Sequence, residues 1–309
     1  MLDPDIRRLL DTIFNVAPSA EPDVGQLRAA AERAPELLGG VPLRLDSVVD
    51  ACVPDAATPL AARIYRPWLG VPLPLMLYAH GGGWVTGSLA SHDRLCRILA
   101  ARLRTVVVAV QYRCAPEHVF PAALDDVALA WQWVRANARK LGADGTRFVV
   151  AGDSSGGNLA AALTLRLRAV RAPQPQLQLL LYPALDATCS RRSYREFASG
   201  FNLSALQMAW YWDAYRAGTA HDTPELSPLA AGSLAGLAPA IVAIAECDVL
   251  RDDGLEYAHR LKAAGVPVRL IRCEGMIHGF LRWTGAVPMA SRWIDAIADA
   301  ARATLAAGV

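Results

Sequence analysis

The sequence predicts an α/β protein with a mostly parallel, doubly wound sheet of about eight strands and helices on both faces. Short apolar, β-branched runs alternate with longer stretches whose apolar residues recur at helical spacing. The runs are apolar throughout, as strands covered on both faces must be. Two more polar runs, DSVVDACVP and LAARIYRPW, come first and suit an antiparallel edge pair.

Each element follows in turn. LPLMLYAH (73–80) predicts a strand and SHDRLCRILAARL the helix after it. TVVVAVQYR (105–113) is a strand, followed by the helical AALDDVALAWQWVRANARKL. RFVVAGD (147–153) is a strand, followed by the helical NLAAALTLRLRAV. LQLLLYP (177–183), AIVAIAE (240–246) and VRLIRCE (268–274) are further strands, and the last 20 or so residues read as helix. Two segments break the rhythm. Residues 1 to about 40 hold two amphipathic helices split by APSAEPD. Residues 186 to about 225 carry FNLSALQMAWYWDAYRAG, a helix with Ser204 as its N-cap. Its aromatics Trp210, Tyr211, Trp212 and Tyr215 suit either a cap over a pocket or a packed helix pair.

The 309 residues are 53% hydrophobic with a formal net charge of +2, enough for a large core. No basic run marks a nucleic-acid or membrane surface. No uncharged apolar stretch approaches the length of a membrane span. MLDPDIRRLLDTIF lacks the uninterrupted apolar core of a signal peptide, and the six cysteines form no CxxC pair, so a soluble cytoplasmic protein is expected. No HExxH or cysteine cluster suggests a metal, and no cofactor is expected.

GDSSG matches G-x-S-x-G in one register, with Gly152 and Gly156 flanking Ser154. A strand that turns sharply into a helix strains its central residue, and only small neighbours allow the approach. Ser154 is therefore the candidate nucleophile, although such a turn could simply close the chain. Ser155 contributes the N–H that follows it. A serine hydroxyl needs a base, and the base needs an orienting acid. His278, in EGMIHGF, follows a strand between two glycines. Asp248, in CDVLRDDG, ends another strand. The order serine, acid, histidine puts each at the carboxyl end of a different strand. HGGGW (80–84) spends three glycines where a plain turn needs fewer. Gly82 and Gly83 can present N–H groups to an oxyanion, the alternative being a flexible hinge.

Taken together, HGGGW (80–84), YRCAPEHVFPAALDD (112–126), GDSSGGN (152–158), CDVLRDDG (247–254) and GMIHGF (275–280) resemble the hormone-sensitive-lipase-like, or bacterial family IV, esterases of the α/β-hydrolase fold. The resemblance implies Ser154 as nucleophile, His278 as base, Asp248 as orienting acid, and Gly82, Gly83 and Ser155 as oxyanion donors. It also implies a helical cap formed by residues 1–40 and 186–225 over a core of residues 41–185 and 226–309. A homodimer is expected on the same basis. Arg113, Glu117 and Asp125 look like scaffold. Ser155 stands where alanine is usual, Cys114 where leucine is common and Val249 where proline is frequent.

The expected activity is hydrolysis of short- to medium-chain carboxylic esters, small molecules, through an acyl-enzyme. Trp84, Phe201, Met208 and Trp212 could line the acyl pocket or be ordinary core. The same triad could serve an amidase, arylformamidase, lactonase or carbamate hydrolase. A non-catalytic small-molecule receptor on this fold is expected to lack the histidine that is present here.

Overall fold

The computed structural model describes residues 1–14, 22–54, 59–68, 70 and 72–307. Most of the linker APSAEPD, residues 17–21, lies outside them. Two helices, α1 (Pro4–Thr12) and α2 (Val24–Leu38), precede strands β1 (Ser47–Val53), β2 (Leu60–Arg66) and β3 (Leu73–Ala79). The alternating part continues through α3 (Asp93–Leu103), β4 (Val106–Val110), α4 (Ala122–Asn137), β5 (Ala143–Asp153), α5 (Ser155–Ala169) and β6 (Leu177–Leu181). The inserted segment carries α6 (Arg192–Glu196) and α7 (Ala205–Arg216). The chain closes with β7 (Ala240–Cys247), α8 (Arg251–Ala263), β8 (Val268–Ile277) and α9 (Pro288–Ala307).

The described strands form one eight-stranded sheet in the order β1-β2-β4-β3-β5-β6-β7-β8. β1 and β2 pair antiparallel, as does β2 with β4, and every other neighbour is parallel. This agrees with the strands, edge pair and sheet class read above; the boundaries differ by a few residues. α5 begins at Ser155, three residues before the NLAAAL pattern, because Gly156 and Gly157 carry no side chain to show periodicity.

Period-two alternation sorts the strand side chains into two apolar layers. Leu75, Leu77 and Ala79 of β3, with Val106, Val108 and Val110 of β4, lie in the layer of α4 and α5, which α8 continues over β7 and β8. Met76, Tyr78, Val107 and Ala109 face the opposite way, onto α3 and α9. α1 buries Ile6, Leu9 and Leu10 in that second layer, whereas α7 buries Met208, Tyr211, Trp212 and Tyr215 in the first. The N-cap expected at Ser204 is present, its Oγ accepting the Gln207 N–H at 3.1 Å. None of the described helices is long and apolar enough to cross a membrane.

Candidate active site

β5 ends at Asp153, and Ser154 turns the chain into α5 with φ 56° and ψ −120°. An L-residue holds this backbone only where its surroundings enforce it. Here they do: Ser154 N–H donates to the Leu181 carbonyl at 2.8 Å, and its own carbonyl accepts from Asn158 N–H at 3.1 Å. The glycines of the motif are steric necessities. A Cβ at Gly156 would lie 2.0 Å from the Ala79 carbonyl oxygen, and one at Gly152 would lie 2.3 Å from the Gly156 backbone.

The hydroxyl so displayed meets the other two predicted residues. His278, one residue beyond β8, brings Nε2 to 2.9 Å from Ser154 Oγ and Nδ1 to 2.7 Å from Asp248 Oδ2. Asp248 follows β7 directly, and its Oδ1 accepts the Leu250 N–H at 2.9 Å. Both oxygens of the carboxylate are thereby held. The structure brings Ser154, Asp248 and His278 together from the ends of three strands, all nearly buried. The Tyr182 ring stands edge-on to the imidazole at 5.0 Å, and Asn202, from the inserted segment, donates to the His278 carbonyl at 3.3 Å. Glu246 stays within β7 and accepts the Gly275 N–H at 2.8 Å, away from the triad contacts.

The glycine loop lies alongside. Gly82 has φ 127° and Gly83 φ 62°, and Trp84 also takes a positive φ, 59°. A Cβ on Gly83 would collide with the Tyr211 ring at 2.3 Å, so glycine there lets α7 rest on the loop. Among the hydrogen bonds of the described residues, none uses the N–H of Gly82, Gly83 or Ser155. These three donors remain available to a bound oxygen.

Of the residues expected either to line the acyl pocket or to be core, Trp84, Met208 and Trp212 are buried. Trp84 lies flat on Tyr215 with ring centroids 4.4 Å apart, and tilted on Trp212 at 4.3 Å. Met208 and Trp212 share the buried face of α7, while Phe201 is half-buried and edge-on to Phe197 at 5.1 Å. Arg113 pairs with Asp126 at 2.7 Å, Glu117 with Arg28 of α2, and Asp125 with Arg166, which fits their reading as scaffold.

Asp153 and His92 escaped the sequence reading. Asp153 Oδ1 accepts the Gly81 N–H at 2.8 Å and the Tyr78 hydroxyl at 2.7 Å. His92 Nε2 lies 3.3 Å from the same oxygen. Burial works against this anion, but His92, Arg282 and the Tyr78 hydroxyl outweigh it and hold the carboxyl well below the usual carboxylate range. The available signal was a charged residue inside a motif that otherwise demands smallness. Nearby, burial together with His92 pushes the His80 imidazole down to about 3. Its Nδ1 lies 2.9 Å from the Gly81 carbonyl, suiting a neutral ring that donates there.

The family model described as the alpha/beta hydrolase fold matches residues 76–282. The carboxylic ester hydrolase LipN of Mycobacterium tuberculosis is 40% identical over 290 residues, 91% of this chain and 77% of LipN. An ethyl acetate hydrolase of Pseudomonas putida is 37% identical over 97% of this chain and 98% of its own. Among solved structures, the ester hydrolase EH1AB1 from the metagenome of Lake Arreo superposes with a TM-score of 0.92 at 36% identity, covering 98% of this chain and 99% of that one. Sequence, fold and site geometry thus agree on one lineage, and the chain belongs to the α/β-hydrolase fold family, with the hormone-sensitive-lipase-like esterases.

Proposed function

We propose that the protein is a serine carboxylesterase that hydrolyses short- to medium-chain carboxylic esters through an acyl-enzyme. The observation that carries this reading is the hydrogen-bonded series Ser154 Oγ, His278 and Asp248, at 2.9 and 2.7 Å.

Ser154 attacks the ester carbonyl as His278 Nε2 takes its proton. Asp248 holds the ring in the tautomer that leaves Nε2 free to accept, and stabilises the imidazolium that forms. The N–H groups of Gly82, Gly83 and Ser155 receive the charge on the tetrahedral oxygen. His278 then protonates the leaving alcohol, and in the second half activates water to release the acid. No step in this chemistry draws on a metal or organic cofactor.

Residues 1–40 and 186–225 form the cap in this reading. Its support is the seat of α7 on Gly83 and the bond from Asn202 to His278. The Trp84–Trp212–Tyr215 stack, with Met208, fills the space behind the glycine loop and favours short acyl groups. We place the protein in the cytoplasm, a reading supported by the free cysteines among the described residues. A homodimer through a sheet edge is supported by β8, which ends the sheet. Light scattering of the purified protein tests that pairing.

Ser154→Ala tests the catalytic assignment. It abolishes p-nitrophenyl butyrate hydrolysis and labelling by a fluorophosphonate probe. Wild-type turnover in this variant would overturn the proposal.

A further inference from the structure

We infer that Asp153 is a positioning residue of the ester hydrolysis, its carboxylate setting the glycine loop in register with the nucleophile that follows it in sequence. The inference rests on the esterase reading above.

The parallel ladder between β3 and β5 ends at the pair Ala79 and Gly152. One residue later the chains separate, β5 into Ser154 and β3 toward Gly82. The Asp153 side chain carries the pairing one step further, taking the Gly81 N–H at 2.8 Å. A Cβ at Gly81 would come within 2.6 Å of Asp153 Oδ2, so the absence of a side chain there is what admits the carboxylate. The acid is itself fixed. Tyr78, on the same strand as the loop, donates to Oδ1 at 2.7 Å, and His92 at the start of α3 approaches it at 3.3 Å, anchored by Ser91 Oγ at 2.9 Å from Nδ1.

The loop requires such a clamp. Gly82 and Gly83 take positive φ without strain and so stay in place only if held, while Trp84 at φ 59° persists only where its surroundings enforce it. Downstream it is held by the Ala115 N–H on the Trp84 carbonyl at 2.9 Å and by the Trp84–Tyr215 stack. Upstream, Asp153 holds the Gly81 N–H, beside the Tyr112 hydroxyl, which donates to the His80 carbonyl at 2.7 Å. Release at that end moves the two glycine donors relative to Ser154, and a displacement of about 1 Å is worth about a hundredfold in rate.

The test is Asp153→Ala, read by steady-state hydrolysis of p-nitrophenyl butyrate and by inhibition with a trifluoromethyl ketone that forms the tetrahedral adduct. kcat falls about a hundredfold with KM within about threefold of wild type, and the ketone weakens by a similar factor. Asp153→Asn, which retains an acceptor for the Gly81 N–H, recovers to within about tenfold of wild type. Turnover within about threefold of wild type in Asp153→Ala overturns the inference. So does a loss of kcat with ketone affinity unchanged, or an Asn variant as poor as the Ala variant. Should the Ala variant fail to fold, Tyr78→Phe is read by the same two measures. A parallel loss of about fivefold or more supports the clamp, and unchanged values overturn it. A wild-type protein without ester turnover would sink the esterase reading itself, an outcome separable from an active wild type indifferent to Asp153.

Discussion

His278 and Asp248 meet at 2.7 Å with the carboxylate almost fully buried and its second oxygen bonded to the Leu250 N–H. In the proposed mechanism this acid orients the ring and balances the charge that it gains. Asp248→Asn keeps the shape but favours the wrong tautomer. It lowers kcat by about a thousandfold or more with little change in KM. Initial-rate kinetics on p-nitrophenyl butyrate check this.

The Trp212 ring, packed on Trp84 of the glycine loop at 4.3 Å, is in the proposed reading a wall of the acyl site. Trp212→Ala removes that wall. The ratio of octanoate to butyrate turnover rises severalfold, and the protein loses about 3–5 kcal/mol of stability. Paired ester assays and urea melts read the two effects separately.

Gly156 faces the Ala79 carbonyl at a distance where no Cβ fits. The collision is with the backbone of Ala79 and His80, so no rotamer change relieves it. Gly156→Ala yields insoluble protein or a fold with the Ser154 turn displaced. Soluble expression and fluorophosphonate labelling decide the point.

His80 imposes a pH dependence on stability. Its imidazole, ordinarily at 6.5, is held down to about 3 in the fold, by burial first and by His92 second. Between these values the unfolded chain binds a proton that the native state refuses, so stability rises with pH there. The contribution is intact above about pH 6.5 and is lost progressively as pH falls toward about 3, at about 1.4 kcal/mol per pH unit. Urea midpoints at pH 7, 5.5 and 4.5 follow this slope, and His80→Gln flattens it.

Ser204 caps α7 through the Gln207 N–H. Ser204→Ala costs about 1 kcal/mol and lowers the melting temperature by a few degrees or less. Differential scanning calorimetry measures it. Because α7 also seats Tyr211 on Gly83, ester turnover declines modestly in the same variant.

Much of this protein was written in its order of residues. The apolar runs identified the sheet, since strands covered on both faces have no polar side to show. The glycines around Ser154 marked the turn, since sterics at that point admit no substitute. The positions of Asp248 and His278 at strand ends indicated their edge, because parallel strands bring their carboxyl ends to one side. Local pattern was sufficient wherever the constraint was local.

Distances across the fold were decided only by packing. How Trp84 and Trp212 meet depended on where α7 came to rest, and that was set by Tyr211 fitting over a bare glycine. Asp153 and His92, 61 positions apart in numbering (153 less 92), became partners only when α3 started beneath the end of β5. A linear sequence records which side chains are available. Which buried donors find which acceptors depends on long-range contacts, whose energies are shared among many residues and leave no periodic trace along the chain.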